Sequence, residues 1–329
     1  MNYYKIRELA YPCNYVVSIV GIFLSIFGTI ISTLVVHVIL KNKWKILSID
    51  LKLICFTLIF DILHCFLAFT SGICDIIGFG DYLNSRFTCS LNSVLTIFTA
   101  ITSINLVGVV ALERYLLIIK AKTLNSIVYY KLILGLQLIN LANGVVSGTF
   151  GGFSISSASV YCMFNLNSWA GIVGSTVLSL STGTSIFMIY FCYISIMIKR
   201  RSSALEIQKL FPLKARKIRN EANSTILKST LIIIASTFTT IPYCAVMFIK
   251  LFNPSFLTPL VAAICLISAM FNMVFNPIIV LRLRIDIWDE IKVLFFIKSD
   301  GSDIISNNVD DYQLTILKEG DSEVNTVSV

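Results

Sequence analysis

Asn105-Leu-Val-Gly-Val-Val-Ala-Leu-Glu-Arg-Tyr-Leu-Leu-Ile-Ile119 is an apolar run interrupted once, by an acid, a base and a phenol at Glu113, Arg114 and Tyr115. Cys89 stands 25 residues before Arg114. At about 1.5 Å per residue, a helix of that length covers roughly 37 Å, more than the roughly 30 Å hydrocarbon core of a bilayer. The stretch therefore predicts a membrane-crossing helix, with Cys89 emerging on one face and Arg114 reaching the other.

Six more apolar windows of bilayer length flank this one (87–119): about 14–40, 47–73, 129–150, 168–198, 225–252 and 257–281. A membrane strand needs only about 10 residues, so windows this long predict helices. The chain is 56% hydrophobic and 13% charged, against about 25% charged in a soluble domain. The connections are short, so the expectation is one all-α bundle of seven membrane spans. Only 13 residues precede the first window. It is too long for a signal-peptide core and reads as an anchor that stays.

Charge orients the bundle. The N-terminus and the second, fourth and sixth loops hold Lys5, Arg7, Arg86 and Lys250, while the other faces hold 22 of the 26 basic residues, among them Lys41, Lys43, Lys45, Lys120, Lys122, Lys199, Arg200, Arg201 and Lys214. Basic residues favour the cytoplasmic side, which places the N-terminus outside and the C-terminus inside. The same clusters fit contact with anionic lipid. They flank membrane spans, so no nucleic-acid partner is expected. Cys55, Cys65, Cys192, Cys244 and Cys265 fall within spans, where cysteine serves as a small buried hydrophobe. Cys13, Cys74, Cys89 and Cys162 fall on or near the outer face, where disulfides are permitted. Cys162, in the next outer loop, is on the right side to pair with Cys89, with free thiols as the alternative.

With Cys89 at this spacing, Glu113-Arg114-Tyr115 resembles the Asp/Glu-Arg-Tyr motif of rhodopsin-like G-protein-coupled receptors. The resemblance implies that the acid holds the arginine at rest, and that the released arginine meets the tail of a heterotrimeric G protein. An arginine at the membrane edge is costly unless paired or solvated. Asp61, a carboxylate near the middle of the second span, falls where the family binds sodium together with a serine and asparagines. Ser103, Asn272 and Asn276 match those positions. Oxygen ligands suit a hard cation, and a hydrogen-bonded cluster without an ion is the alternative.

Asn276-Pro277-Ile-Ile-Val280 resembles Asn-Pro-x-x-Tyr with valine replacing the tyrosine, and proline lets a helix bend. Tyr193 is the family's usual partner for that tyrosine and is expected to face Arg114 in the active state. Ile241-Pro242-Tyr243 resembles the outer kink of the sixth span, with Thr240 in place of the family's tryptophan and Ser236 in place of its phenylalanine. Ser185 replaces a proline, Thr29 an asparagine, and the fourth span lacks its tryptophan. The resemblance covers residues 14 to 297 and is that of a divergent member.

In the family register the outer cavity is lined by Thr96, Ala100, Val177, Ser181, Tyr243, Cys244, Met247, Leu266 and Met270. None is charged, so the expected ligand is extracellular, small and neutral, apolar or hydroxyl-bearing. The carboxylate of amine-binding relatives is replaced by Thr96. Opsins need a lysine in the seventh span, which holds Met270 there, so no retinal and no other organic cofactor is expected.

After the seventh span Leu283, Ile287, Trp288, Ile291 and Phe295 recur at helical spacing, which predicts an amphipathic helix. This gives an outer N-terminus (1–13), a receptor domain (14–297) and a polar, disordered cytoplasmic tail (298–329). Tail residues such as Ser299 and Ser302 are candidate phosphorylation sites for an arrestin partner, and Val327-Ser328-Val329 resembles a PDZ ligand. A seven-span transporter or channel is the rival reading. It predicts paired intramembrane charges and internal repeats, neither of which is evident. No constellation of an enzyme is present, and His37 and His64 read as structural.

Overall fold

The computed structural model describes residues 3–41, 47–210, 215–253 and 256–294. The predicted tail, with Phe295 and the terminal motif, lies outside these residues, as do Lys43, Lys45 and Lys214. Seven helical spans are long and apolar enough to cross a membrane. They are α2 (Cys13–Lys41), α3 (Ile49–Ile76), α5 (Arg86–Lys120), α6 (Ser126–Thr149), α7 (Trp169–Leu210), α8 (Ala215–Phe252), and the pair α9 (Pro259–Met270) and α10 (Asn272–Leu283), which share the last span. Helix α1 (Tyr3–Ala10) precedes them, and α4 (Asp81–Asn84) lies between α3 and α5. A hairpin of β1 (Phe153–Ile155) and β2 (Cys162–Phe164) lies between α6 and α7.

Helix α5 is central, packing against α3, α6, α7 and the hairpin. The burial pattern is that of a chain whose solvent is lipid. On α2 the large side chains Phe23, Phe27 and Ile30 face outward, while Ser18, Gly21, Ser25, Gly28 and Ser32 are buried. Lipid is as apolar as leucine, so small residues at helix interfaces gain by letting backbones approach. Gly28 shows why. Pro277 has no N–H to give the carbonyl four residues back, that of Met273. A Cβ at Gly28 would lie 3.0 Å from this carbonyl oxygen and 3.1 Å from Cys65 Sγ. Gly28→Leu should therefore force α2 away from the last span. The expected outcome is a loss of monodisperse protein on detergent size-exclusion chromatography, against a wild-type profile for the lipid-facing Phe27→Leu.

The spans agree with the apolar windows except at one end of α7 and α8. Apolarity stops at 198 and resumes at 225, yet the helices run on to Leu210 and start at Ala215. The extensions are rich in Lys, Arg and Glu, which form helix well but fail any test of bilayer length. Helix α1 and the hairpin were not expected either, being too short to leave a hydropathy signal.

Residues up to Ile285 form one compact unit. Helix α11 (Ile285–Leu294) follows and is described by itself. Ile287 and Ile291 share one face, and Lys292 pairs with Asp289 at 2.7 Å and lies 5.9 Å from the Trp288 ring centre. This is the amphipathic helix expected after the seventh span.

Candidate functional site

At one end of the bundle Cys89 is bonded to Cys162, with Cα atoms 5.5 Å apart, joining the first turn of α5 to β2. Ser93 donates to the Cys162 carbonyl at 2.5 Å, one turn further along α5. Between this end and mid-depth lies a cavity of about 110 Å³. Of the residues expected to line it, Thr96, Ala100, Tyr243, Leu266 and Met270 do so. Val177, Ser181, Cys244 and Met247 are not among its lining residues. On α7 the facing positions are Leu178 and Thr182, one step round the helix. Ser181 instead receives a 3.5 Å hydrogen bond from Asn105. Met247 is buried in the apolar cluster around Cys89 and Phe164.

The cavity reaches deeper than expected, to Asp61, His64 and Asn272. Thr239 and Thr240 form part of the wall there. A larger side chain at position 240 would take up some of this space; with threonine there the apolar chamber continues to a polar floor. Within that floor His64 Nδ1 lies 3.1 Å from Thr99 Oγ1. Among the described residues Thr96 Oγ1 is buried without a hydrogen-bond partner, leaving it available to a ligand.

At mid-depth Asn276 Nδ2 donates to Asp61 Oδ2 and to Ser103 Oγ, each at 2.9 Å, and Asn272 Nδ2 donates to Ser103 Oγ at 3.4 Å. The four residues named from sequence are thus brought together. Asp61 is 1% exposed, and no Lys, Arg or His lies in ion-pair contact with it among the described residues. A buried carboxylate without a counter-charge is expensive. Carboxylate, hydroxyl and amide oxygens form a donor set that fits a small hard cation, so these residues suit the ion that the resemblance implies.

Towards the opposite end a second cavity, of about 50 Å³, is lined by Tyr193, Asn276, Val280 and Ile232, among others. Val280 leaves space where a tyrosine would stand. At this end Arg114 Nη2 donates to Asp50 Oδ2 at 2.5 Å. Arg284, just past α10, approaches the same oxygen at 3.7 Å. Glu113 is further off, 3.8 Å from Arg114 Nε, and its Oε2 accepts no hydrogen bond among the described residues. The resemblance implies Glu113 as the holder of Arg114; of the two acids, Asp50, the second residue of α3, makes the shorter contact. Asp50 went unremarked in the sequence, although an acid heading an apolar span on a basic face has to find a cation. Tyr115 packs on Phe191, ring centres 5.5 Å apart. Lys228 of α8 donates to the Leu283 carbonyl at 3.3 Å, tying α8 to the end of α10.

Seven spans, a disulfide at one end and a held arginine at the other define a receptor-class bundle. Residues 32–279 match the family model described as 7 transmembrane receptor (rhodopsin family). The chain belongs to this family, one of membrane-embedded receptors and not of enzymes. Its fold is similar to that in the crystal structure of squid rhodopsin, with a TM-score of 0.67 at 16% identity, covering 88% of this chain and 88% of that chain. No curated protein sequence matches.

Proposed function

We propose that this receptor lies in the plasma membrane with its disulfide end outside, binds a small neutral ligand in the upper cavity, and activates a heterotrimeric G protein at the Arg114 end. The observation that carries this reading is the Arg114–Asp50 ion pair. It is a charge-assisted bond at the membrane edge, where a released arginine becomes a binding surface. A ligand favours the active state only by its differential affinity for the two states. The cavity at Thr240 and Met270 is placed to sense this, since it shares Asn272 with the lower cavity. In the active state α8 moves outward, the Lys228 contact with Leu283 breaks, and Tyr193 turns towards Arg114. Polar groups of the ligand would meet Thr96, Tyr243 and His64. A phosphorylated tail would recruit an arrestin. Cells expressing the chain with a G-protein reporter, screened with neutral apolar and hydroxyl-bearing compounds, test the reading. A responding compound should lose its effect on Arg114→Ala.

Sodium at Asp61, Ser103, Asn272 and Asn276 would balance the buried carboxylate and favour the resting packing. The expected outcome is that replacing potassium by sodium lowers basal nucleotide exchange in the wild type and not in Asp61→Asn. Equal sodium sensitivity in both proteins would remove the ion from this site.

A further inference from the structure

Helix α1 is seated firmly for a short terminal segment. Tyr3 is 1% exposed. Its hydroxyl donates to Asp75 Oδ1 at 3.1 Å and its backbone N–H to Asn84 Oδ1 at 3.0 Å. One turn on, Arg7 donates to the Asp75 carbonyl at 2.7 Å and to the Tyr15 hydroxyl at 2.9 Å, and its Nε lies 3.6 Å from Asp75 Oδ1. The same carboxylate accepts from Ser18 at 2.8 Å, Asn14 at 3.3 Å and Ser159 at 3.5 Å. Asp75 therefore joins α1, α2, α3 and the hairpin loop in one polar network, within which Arg7 Nε and Asn14 Oδ1 make no hydrogen bond among the described residues. Burial and the neighbouring Asp75 hold the Tyr3 phenol above its ordinary pKa.

The position of α1 gives this network a consequence. The helix packs against α2, α4 and α9, crossing from the loop after α3 to the last span. The Tyr3 ring belongs to the same apolar cluster as Cys162, Leu178, Met163 and Tyr243, all of which line the upper cavity. The seat is shaped for that ring: a Cβ on Gly80 would lie 1.8 Å from it. We propose that α1 is a lid over the mouth of the upper cavity, clasped by Asp75, and that Tyr3 must leave its seat before a ligand from the disulfide side reaches the cavity.

Access to the cavity is separate from coupling, so the lid would act whether or not a G protein couples. The test is the rate at which a charged methanethiosulfonate reagent modifies Ala100→Cys, a cavity-lining position, in purified protein in detergent, where both faces meet solvent. The same proteins without the added thiol give the background of the native cysteines. Gly80→Ala, which wedges Tyr3 out, and Tyr3→Ala, which removes the ring, should each speed modification by about tenfold or more, the scale of losing one or two buried contacts. Combining them should add little, since both unseat the same side chain. Equal rates in all backgrounds, or fast modification in Ala100→Cys alone, would overturn the lid. If Gly80→Ala fails to fold, Tyr3→Ala decides the outcome by itself.

Discussion

Asp50→Asn should raise basal G-protein activation about tenfold over the wild type, with no ligand present. The expectation follows from where the carboxylate sits. Its 2.5 Å contact with Arg114 is made by a carboxylate 9% exposed and an arginine 30% exposed. Hydrogen bonds to charged groups contribute about 1.5–3 kcal/mol, and each 1.4 kcal/mol is a factor of about ten in an equilibrium. If only the resting state makes this contact, removing it shifts the population by that factor. Asn preserves the volume and loses only the charge, so the packing of α3 should survive. Glu113→Gln is the informative control. Its 3.8 Å approach without a hydrogen bond predicts a smaller rise. Nucleotide exchange on purified receptor with G protein measures both, and a large effect at Glu113 with none at Asp50 would return the holding role to the neighbouring acid.

Arg114→Ala should reduce G-protein activation to background while the protein still reaches the membrane. Truncating one partner of a buried charge pair at an interface costs about 2–5 kcal/mol, or roughly 30- to 4,000-fold in affinity at 1.4 kcal/mol per decade. The variant also leaves Asp50 without its main cation. Arg284, 3.7 Å from the same oxygen, remains to compensate, which is why folding should be retained. The double variant Asp50→Asn/Arg114→Ala separates the two effects. It removes both charges together and should be as silent as Arg114→Ala, because the rise caused by Asp50→Asn acts through the freed arginine.

Much of this arrangement was legible in the sequence because membrane physics writes it in long periods. Bilayer length fixed the seven spans. The depth of Arg114 relative to Cys89 placed the two ends of α5, and the family resemblance named Ser103 and Asn276 as the companions of Asp61. What escaped has physical causes as well. Asp50 is held through a contact 64 residues away in the chain, and residue type alone does not say which of two nearby acids an arginine will choose. The lining of α7 slipped from Ser181 to Thr182 because one residue turns a helix by about 100°. The roles of Asp75 and α1 depend on a short segment docking onto a loop, which leaves no periodic signal.

Coupling is decided with the receptor in lipid nanodiscs and a panel of purified heterotrimeric G proteins, reading nucleotide exchange for the wild type, Asp50→Asn and Arg114→Ala. At least one G protein should be accelerated by the wild type, accelerated further by Asp50→Asn and left at its intrinsic rate by Arg114→Ala. Folded, disulfide-bonded receptor that leaves every G protein at its intrinsic rate in all three forms would contradict coupling.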